Sequence, residues 1–584
     1  MDSKELNIIK DKKKEWEDRC VKPSLKRFGI EKSPARFYTP EDVKGFDFEK
    51  KVGFPGDYPF TAGNYAVPTP GLAPSIGSGF QDTGKGLVRA GQYSGYGTAE
   101  DTREYYEQMI AMGQLGGPNL AFQLPTQCGY DSDHPRAQGE VGKTGVAIDS
   151  LMDMETVYAP YVGDRGLDKI ASNWTINGPA SMILAMYVVI AEKQGISLDK
   201  LRGTLQNDIL KEYVGRGTQI FPPRPAMRLT RDIMVYCTES MPLMNFISCC
   251  TGHIRSAGCT REQSVGIMLA NAAAYIQMGV DAGLDVDKFM RRFTFLGIGG
   301  SIEMLKEVAA NRALRRMFAK MMKERFGAKS LRTMMMKTNL LARTLEADYT
   351  IQRPLNNLTR SVIGGIAAAF VGGTPSSGMG FPWDEPLGLG HSNEAWQLHR
   401  DAARIIQFES KIGEALDPLA GSYYVEALTD GIEEGAWDVY NKIEALGGSL
   451  AAIEQGWMQR EVARAAYKQQ NDVETGKKIM VGANSFKGEG EIEVMTERLV
   501  AHPYDPGKRD EAELLQIAKL KKLRKNRDND SVKQALMLMQ EAAKDEDVNL
   551  MPFIVEAVKK YATIGEMCDT LRDVFGEFKA FGVI

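Results

Sequence analysis

The 584-residue sequence lacks the features that mark membrane proteins and nucleic-acid-binding proteins. Its longest apolar run, Ala180 to Ala191, is too short to cross a bilayer as a helix. Lys and Arg total 72 against 76 Asp and Glu, and the resulting net charge of −4 gives no basic footprint for nucleic acid. We therefore predict no membrane partner and no nucleic-acid partner.

Paired cysteines are also missing. The seven cysteines contain no Cys-x-x-Cys spacing, and Cys249 and Cys250 are adjacent. This pattern matches neither a zinc site nor a disulfide framework, so we predict no metal site. The first residues, MDSKELNIIKDKKKEW, lack the apolar core of a signal peptide, and we expect a cytoplasmic protein.

Short buried strand patterns alternate with helical patterns through the middle of the chain. Residues 171–180 (ASNWTINGPA) predict a strand and a turn before an apolar helix, and the apolar run from Phe246 to Cys250 predicts a buried parallel strand. Such alternation implies βαβ units and a parallel sheet. The units from Leu120 to Glu385 suit a closed (β/α)8 barrel, although periodicity leaves a doubly wound sheet open.

Polar residues follow the predicted strands between Thr204 and Gly258. Gln206 lies in a polar cluster, Arg216 lies between two glycines, and His253 follows the strand that ends at Cys250. In a barrel the carboxyl ends of the strands share one face, so these three side chains would line one cavity. A structural histidine and a loop arginine are the alternative interpretation.

Two glycine-rich segments resemble nucleotide-binding motifs without completing them. Residues 79–86 (GFQDTGKG) have Gly86 where a P-loop needs Ser or Thr, and no strand pattern precedes them. Residues 293–300 (FTFLGIGG) lack the acidic residue that a dinucleotide site requires at the right distance. We predict a phosphate-binding loop in neither segment.

Several motifs together resemble one enzyme family over roughly residues 58 to 580. They are TLQNDILKEY (204–213), FPPRPAMR (221–228) and NFISCCTGHIRSAG (245–258). They are similar to the large subunits of the adenosylcobalamin-dependent acyl-CoA mutases, of which methylmalonyl-CoA mutase is the best-known member. The resemblance implies an α/β fold with an N-terminal helix and arm over 1–57, an acyl-CoA-binding (β/α)8 barrel over 58–400 and a helical C-terminal region over 401–584.

The resemblance also implies a site. His253 would polarise the thioester carbonyl, Arg216 would pair with a carboxylate of the acyl group, and Gln206 would complete the catalytic set. Glu385 matches the acid that contacts the adenosyl ribose. The acyl-CoA-binding residues implied by the resemblance and by their position on the barrel interior are Asn173, Thr175, Thr204, Gln206, Arg216, Asn245, His253, Arg292 and Thr294.

The cofactor implied by the resemblance is adenosylcobalamin. The family's cobalamin-binding domain carries an Asp-x-His-x-x-Gly motif, and none of the five histidines lies in such a pattern. We therefore expect that domain to be absent from this chain and the cofactor to be held mainly by a separate small subunit. The expected assembly is a heterotetramer or a homodimer of large subunits.

The sequence departs from methylmalonyl-type mutases near the reacting group. Thr69 and Gly252 replace two tyrosines, Asn339 replaces a histidine, and Phe381 stands near the usual asparagine partner of Glu385. We expect the freed space to be filled by a bulky substituted succinyl-CoA or its malonyl-CoA isomer, with apolar surface from Met334 to Met336. The alternatives are a methylmalonyl-CoA or 2-hydroxyisobutyryl-CoA type mutase and a non-catalytic barrel subunit that acts as an interaction or chaperone protein.

Overall fold

The computed structural model describes residues 3–33, 35–43, 45–66, 90–111, 116–296, 301–339, 346–371, 383, 393–412, 415–488 and 506–580. The fold is α/β, and every strand pairing among these residues is parallel. None of the helices in these ranges is long and apolar enough to span a membrane.

The strands form two hydrogen-bonded groups. The first has the order β1-β2-β3-β4-β5 and the second the order β6-β7-β8. The strands are β1 Ala90–Ser94, β2 Gly117–Ala121, β3 Ala171–Thr175, β4 Arg202–Leu205, β5 Met244–Asn245, β6 Ile247–Cys250, β7 Phe293–Leu296 and β8 Thr338–Asn339.

One stretch of chain joins the two groups. Only Phe246 separates β5 from β6, so the predicted strand at 246–250 is present with a break at its start. β5 pairs with β4, and beyond the break the Ser248 N–H donates to the Gln206 carbonyl oxygen at 2.8 Å. The array therefore runs in chain order from β1 to β8, and a sequential parallel array fits a barrel better than a doubly wound sheet, whose strand order reverses.

Helices connect the strands and cover the sheet. The α-helices are α1 Ser3–Trp16, α2 Lys22–Phe28, α3 Phe48–Lys51, α4 Ala99–Ala111, α5 Leu124–Gln127, α6 Leu151–Tyr158, α7 Ala180–Lys193, α8 Ile209–Lys211, α9 Pro223–Ser240, α10 Gly252–Ser256, α11 Arg261–Asp281, α12 Val286–Phe289, α13 Met304–Glu324, α14 Leu331–Met334 and α15 Asn356–Phe370. Those that follow are α16 Asn393–Arg404, α17 Tyr423–Ala445, α18 Gly448–Glu454, α19 Trp457–Glu474, α20 Pro506–Asn526, α21 Asn529–Ala543, α22 Met551–Lys559 and α23 Ile564–Phe575.

The helix ends follow local sequence signals. Ser150 opens α6 with a capping box in which Asp153 returns the hydrogen bond, and Thr260 and Gln263 do the same for α11. The predicted apolar helix after β3 is α7, whose first twelve residues are all buried. A helix that is apolar all round belongs in a core, which explains why this segment is not a membrane span.

The C-terminal helices share the core of the sheet. α22 packs against α7, and buried residues of α21, α22 and α23 belong to the same hydrophobic cluster as the strand residues. Within residues 479–486 the strand pairing is limited to a single bridge from Val481 to Ser485. Two residues bridged across a tight turn cannot form a ladder of hydrogen bonds.

Candidate functional site at the carboxyl edge of the strands

A row of polar side chains crosses four neighbouring strands at one height. Asn119 pairs in register with Asn173, and Asn173 pairs with Thr204. Thr204 pairs with Asn245, whose Nδ2 donates to the Thr204 Oγ1 at 3.0 Å. All four residues are half-buried. A tightly packed barrel interior would bury large branched side chains here, so this row leaves polar surface for a ligand.

Strand alternation separates this ligand side from the helix side. Between Asn173 and Thr175, Trp174 points the other way, is buried, and donates from Nε1 to the Tyr158 hydroxyl at 3.0 Å. Thr175 pairs with Ala121 and is half-buried like Asn173. Successive side chains of a strand point to opposite faces, so the two predicted ligand residues of β3 share the inner face.

Gln206 follows β4 directly and is buried. Its Oε1 accepts from Asn177 Nδ2 at 2.9 Å, and the same Nδ2 lies 2.6 Å from Oε1 of Glu212. Asn177 lies in the turn after β3. The side-chain amide of Asn177 therefore links the end of β3 to the end of β4 and holds the Gln206 side chain at the carboxyl edge.

The turn that carries Arg216 is built around a buried ion pair. Residues Glu212–Arg216 form a π-helical turn after α8, and the side chains of Lys211 and Glu212 are in contact and fully buried. Nη1 of Arg216 lies 3.5 Å from Oε1 of Glu212, and the Arg216 side chain keeps 20% exposure. Burial alone raises the pKa of Glu212, but Lys211 and Arg216 reverse this effect and lower the pKa to about 2. Glu212 is therefore ionised and orients Arg216.

Asp208 ties the end of β4 to the end of β6. Its Oδ2 accepts the Cys250 N–H at 2.7 Å, and its Oδ1 accepts the Tyr275 hydroxyl at 2.9 Å. Burial raises the pKa of Asp208, while Lys211 opposes this rise. These bonds fix the position of the backbone that leads from Cys250 to His253.

Arg216 and His253 lie on neighbouring elements. A Cβ on Gly215 would come within 3.1 Å of both the His253 carbonyl oxygen and the Ile254 Cα, so only glycine allows this contact without a shift. His253 belongs to α10 and is half-buried. The structure thus brings the segments of the three predicted catalytic residues to one place at the carboxyl edge.

Space is present beside His253. Apart from its two chain neighbours and the backbone of its own helix, a Cβ added to Gly252 would meet only one described atom within 4 Å, Sγ of Cys250 at 3.6 Å. Gly252 stands where related mutases carry a tyrosine. Close to the Gly252 Cα, no side chain of the described residues other than Cys250 fills the volume of the absent tyrosine ring.

A cationic cavity of about 370 Å³ lies at the opposite, amino edge of β7 and β8. Its lining residues are Gly56, Phe60, Tyr65, Met290, Arg291, Leu331, Arg332, Met335 and Lys337. Burial together with Arg292 and Arg332 lowers the pKa of Lys337 to about 8. Nζ of Lys337 donates to Asn245 Oδ1 at 3.0 Å, so the cavity connects to the polar row.

The sequence predicted only part of this amino edge. It named Arg292, which donates from Nε to the Pro242 carbonyl oxygen at 2.6 Å and whose pKa is lowered by burial and by Arg332. It missed Lys337, Arg332 and Arg291. Arg291 lies just before β7, and Arg332 and Lys337 lie before β8, where the amino ends of parallel strands meet, but neither strand was predicted from the sequence.

Two other predicted residues are placed differently. Thr294 is fully buried and its hydroxyl donates to the Ile247 carbonyl oxygen at 2.9 Å, so its contact with coenzyme A stays a prediction. Met335 lines the cavity at the amino edge, and Met334 and Met336 are buried beside it. The prediction that these methionines lie near the reacting group is therefore wrong, because residues preceding β8 are at the strand end opposite to His253.

Several predicted positions fall outside the described residues. These are Thr69, the segment 79–86, Phe381 and Glu385. Of Asn339 only the backbone is described, and it pairs with Leu296 at the end of β8. No group of three or more His, Cys, Asp or Glu side chains that could hold a metal ion occurs in the described part of the chain.

The chain is similar to known proteins over most of its length. A family model described as methylmalonyl-CoA mutase matches residues 29–577. The chain is 36% identical over 580 residues to the 2-hydroxyisobutanoyl-CoA mutase large subunit of Aquincola tertiaricarbonis, covering 98% of this chain and 97% of that protein. It is 35% identical over 554 residues to the methylmalonyl-CoA mutase of Rhizobium meliloti, covering 94% and 72%. The Escherichia coli methylmalonyl-CoA mutase is 38% identical over 488 residues, covering 83% and 65%.

Proposed function

Because this chain belongs to the methylmalonyl-CoA mutase family, whose members are isomerases, we propose that it is the substrate-binding large subunit of an adenosylcobalamin-dependent acyl-CoA mutase. The observation that carries the proposal is one connected polar track. It begins in the cationic cavity, passes through Lys337 to Asn245 and Thr204, and ends at the Gln206, Arg216 and His253 segments.

This track matches the chemistry of an acyl-CoA. Arg291, Arg332 and Lys337 suit the phosphates of the coenzyme, since guanidinium and ammonium groups form charge-assisted hydrogen bonds with phosphate oxygens. The aromatic rings of Phe60 and Tyr65 offer the same cavity an apolar wall. The polar row then provides partners for the amide groups of the pantetheine chain. In this arrangement the thioester reaches the carboxyl edge.

Adenosylcobalamin, when bound, supplies the organic radical that starts a carbon-skeleton rearrangement. The carboxyl edge fits a reaction on an acyl group because it combines hydrogen-bond donors with a cation. His253 donates to the thioester carbonyl and stabilises the charge that develops on its oxygen. Arg216, oriented by Glu212, pairs with a carboxylate of the acyl group. Glu385, which lies outside the described residues, is the proposed contact for the adenosyl ribose.

Arg216 and Gly252 together point to the substrate. A guanidinium with 20% of its side chain exposed at the site favours a dicarboxylic acyl group. The space at Gly252 favours a substituent larger than methyl, because protein interiors rarely leave such a volume empty. The proposed reaction interconverts a bulky alkyl- or aryl-substituted succinyl-CoA with its malonyl-CoA isomer.

One observation favours a second candidate. The Aquincola protein, named a 2-hydroxyisobutanoyl-CoA mutase large subunit, matches this chain over 97% of its own length. A substrate of that kind has no free carboxylate, and Arg216 would then have no carboxylate of the substrate to bind.

The intact ion-pair network around Arg216 also weighs against a non-catalytic barrel subunit, because a lost site would not need a buried Lys211–Glu212 pair.

Two further parts of the proposal concern architecture. The sequential parallel array from β1 to β8 supports a closed (β/α)8 barrel. The words large subunit in the names of relatives support a separate small subunit with an Asp-x-His-x-x-Gly motif, which would hold most of the cobalamin.

The test is an assay of the chain with a cobalamin-binding small subunit and a series of acyl-CoAs. The series runs from methylmalonyl-CoA to analogues with longer substituents and includes 2-hydroxyisobutyryl-CoA. We expect kcat/KM to rise with substituent size until the space is full, by at most about fourfold for each buried methylene. Best turnover of 2-hydroxyisobutyryl-CoA would refute the role of Arg216, and best turnover of methylmalonyl-CoA would refute the role of Gly252.

A further inference from the structure

Asn177, in the turn after β3, has a side-chain amide whose orientation is fixed by its neighbours. The backbone N–H of Asp208 donates to Oδ1 of Asn177 at 3.0 Å. A backbone N–H can only donate, so the atom that accepts it is the amide oxygen and the other atom is Nδ2. A reversed amide would turn its NH2 group toward the Asp208 N–H and its oxygen toward the Glu212 carboxylate. Asn177 is buried, which makes that arrangement costly.

The two hydrogens of Asn177 Nδ2 have two acceptors. Nδ2 lies 2.6 Å from Oε1 of Glu212 and 2.9 Å from Oε1 of Gln206. The Glu212 side chain is ionised, so its carboxylate oxygens can only accept. Both N–H groups of the Asn177 amide are therefore used, one toward each neighbour.

The amide of Gln206 takes its orientation from Asn177. Because Nδ2 of Asn177 donates, the Gln206 atom that accepts must be the oxygen Oε1, and the other end of the Gln206 amide is Nε2. In the part of the chain that the structure describes, Nε2 of Gln206 has no hydrogen-bond partner. The open end of this amide at the carboxyl edge is therefore a donor.

The same carboxylate that fixes Asn177 also contacts Arg216. Oε1 of Glu212 accepts from Nδ2 of Asn177 and lies 3.5 Å from Nη1 of Arg216. A chain of polar contacts therefore runs from Gln206 through Asn177 and Glu212 to Arg216. It connects a free N–H donor with the cation that we assign to the acyl carboxylate.

We propose that Asn177 is a positioning residue, which holds Gln206 so that its Nε2 donates to an oxygen of the acyl group. The inference rests on the proposed function, because the acyl-CoA supplies that oxygen. A donor at this place stabilises negative charge on a carbonyl or carboxylate oxygen. A reversed Gln206 amide would instead present its own oxygen and repel the substrate. Asn177 itself need not touch the substrate to have this effect.

A double-mutant cycle tests whether Asn177 acts through Gln206. The measured quantity is kcat/KM, with the small subunit present, for the acyl-CoA that the unchanged chain converts best. Gln206→Ala should lower kcat/KM about tenfold to a hundredfold, the factor for one hydrogen bond to a charged group. Asn177→Ala should lower it about threefold to tenfold, because the released Gln206 amide can present either end. Asn177→Ala should cause no further loss in a chain that already carries Gln206→Ala.

Asn311→Ala is the matched control for this cycle. Asn311 is also buried, and its Nδ2 donates to the Glu307 carbonyl oxygen within α13 at 2.9 Å. Any effect of Asn311→Ala should be the same with and without Gln206→Ala. A merely structural role of Asn177 would give the same independence.

An exchange of two side chains keeps the test decisive if Asn177→Ala does not fold. Asn177→Asp combined with Glu212→Gln keeps one carboxylate and one amide at these positions and leaves an acceptor for the Asp208 N–H. The introduced carboxylate can only accept, so Gln206 must turn Nε2 toward it and offer Oε1 to the substrate. kcat/KM should fall at least as far as in Gln206→Ala, and adding Gln206→Ala should cause no further loss.

The outcomes separate the inference from the proposed function. If Gln206→Ala lowers kcat/KM by the same factor whether or not residue 177 is changed, the inference fails, while turnover by the unchanged chain keeps the proposed function. If the unchanged chain neither binds nor converts any acyl-CoA, the proposed function fails and the inference fails with it.

Discussion

Nζ of Lys337 lies 3.0 Å from Oδ1 of Asn245, so the cation of the amino-edge cavity directly contacts the polar row inside the sheet. Parallel strands make this possible, because the residue before β8 and a residue within β5 reach the same height of the array. The contact joins two regions that are 92 positions apart in the sequence. It gives an extended ligand one continuous polar surface.

We expect acyl-CoA affinity to depend on the charge of Lys337. Its pKa is about 8, so the ammonium is present at pH 7 and is lost as the pH rises through 8. Affinity measured by calorimetry should therefore be constant below pH 7 and weaken above pH 8. Lys337→Met should weaken binding about tenfold at pH 7, in line with the loss of one charge-assisted hydrogen bond.

Lys337→Arg is the matched control for this prediction. A guanidinium stays protonated over the whole range, so the pH dependence should disappear while binding at pH 7 is largely kept. Equal pH dependence in the unchanged chain and in Lys337→Arg would show that another group controls binding.

His253→Ala should lower turnover about a hundredfold, the scale for removing one donor to a developing oxyanion. Acyl-CoA affinity should change little, because most contacts are made along the polar track and in the cavity. Steady-state kinetics with the small subunit and a separate binding titration distinguish the two effects. His134→Ala is the control, since His134 caps a short 3-10 turn through its Nδ1. Nearly normal turnover in His253→Ala would make His253 a structural residue.

Arg216→Gln should reverse the substrate preference. Loss of a bidentate partner should reduce kcat/KM for dicarboxylic acyl-CoAs by about a hundredfold, while uncharged acyl-CoAs lose little. Arg216→Lys keeps the charge but not the fork geometry and should lie between the two. The measurement is competition between a dicarboxylic acyl-CoA and an uncharged one. A uniform loss for both substrates would contradict a role in recognising the carboxylate.

Glu212 should stabilise the fold above pH 4.5. Its pKa falls from the ordinary 4.5 to about 2, a shift worth about 3 kcal/mol. Because the folded pKa is the lower one, this contribution is complete above pH 4.5 and is lost as the pH falls toward 2. Glu212→Gln leaves Lys211 buried without its charge partner and should cost about 3–5 kcal/mol.

The midpoint of thermal unfolding at pH 7 tests this prediction. Glu461→Gln is the control, because Glu461 forms a surface pair with Arg464, whose side chain is 73% exposed, and such pairs contribute little. Similar midpoints for the two variants would mean that the buried network does not stabilise the fold.

Gly252→Tyr should narrow the site. A Cβ at this position would be in ordinary van der Waals contact with Sγ of Cys250 at 3.6 Å, and we expect the ring beyond it to take volume from the substrate. The preference should move from long substituents toward methylmalonyl-CoA, whereas Gly252→Ala should change it only slightly. Relative kcat/KM values for the acyl-CoA series provide the test. An unchanged preference in Gly252→Tyr would place the substituent elsewhere.

The sequence by itself determined several local elements and provided the candidate residues of the carboxyl edge. Strand β3, helix α7 and strand β6 follow from apolar patterning, since burial of such segments dominates their free energy. Gln206, Arg216 and His253 were candidates because each follows a strand or a turn, and the family resemblance favoured them over the structural interpretation.

Tertiary structure alone decided which distant residues meet. Nothing in the local sequence indicates that Lys337 contacts Asn245 or that the methionines before β8 lie opposite to His253. These relationships depend on strand register and on the amino or carboxyl end at which a residue lies. A shift of one residue in register moves every side chain of a strand to the other face, so the final site is a property of the folded array.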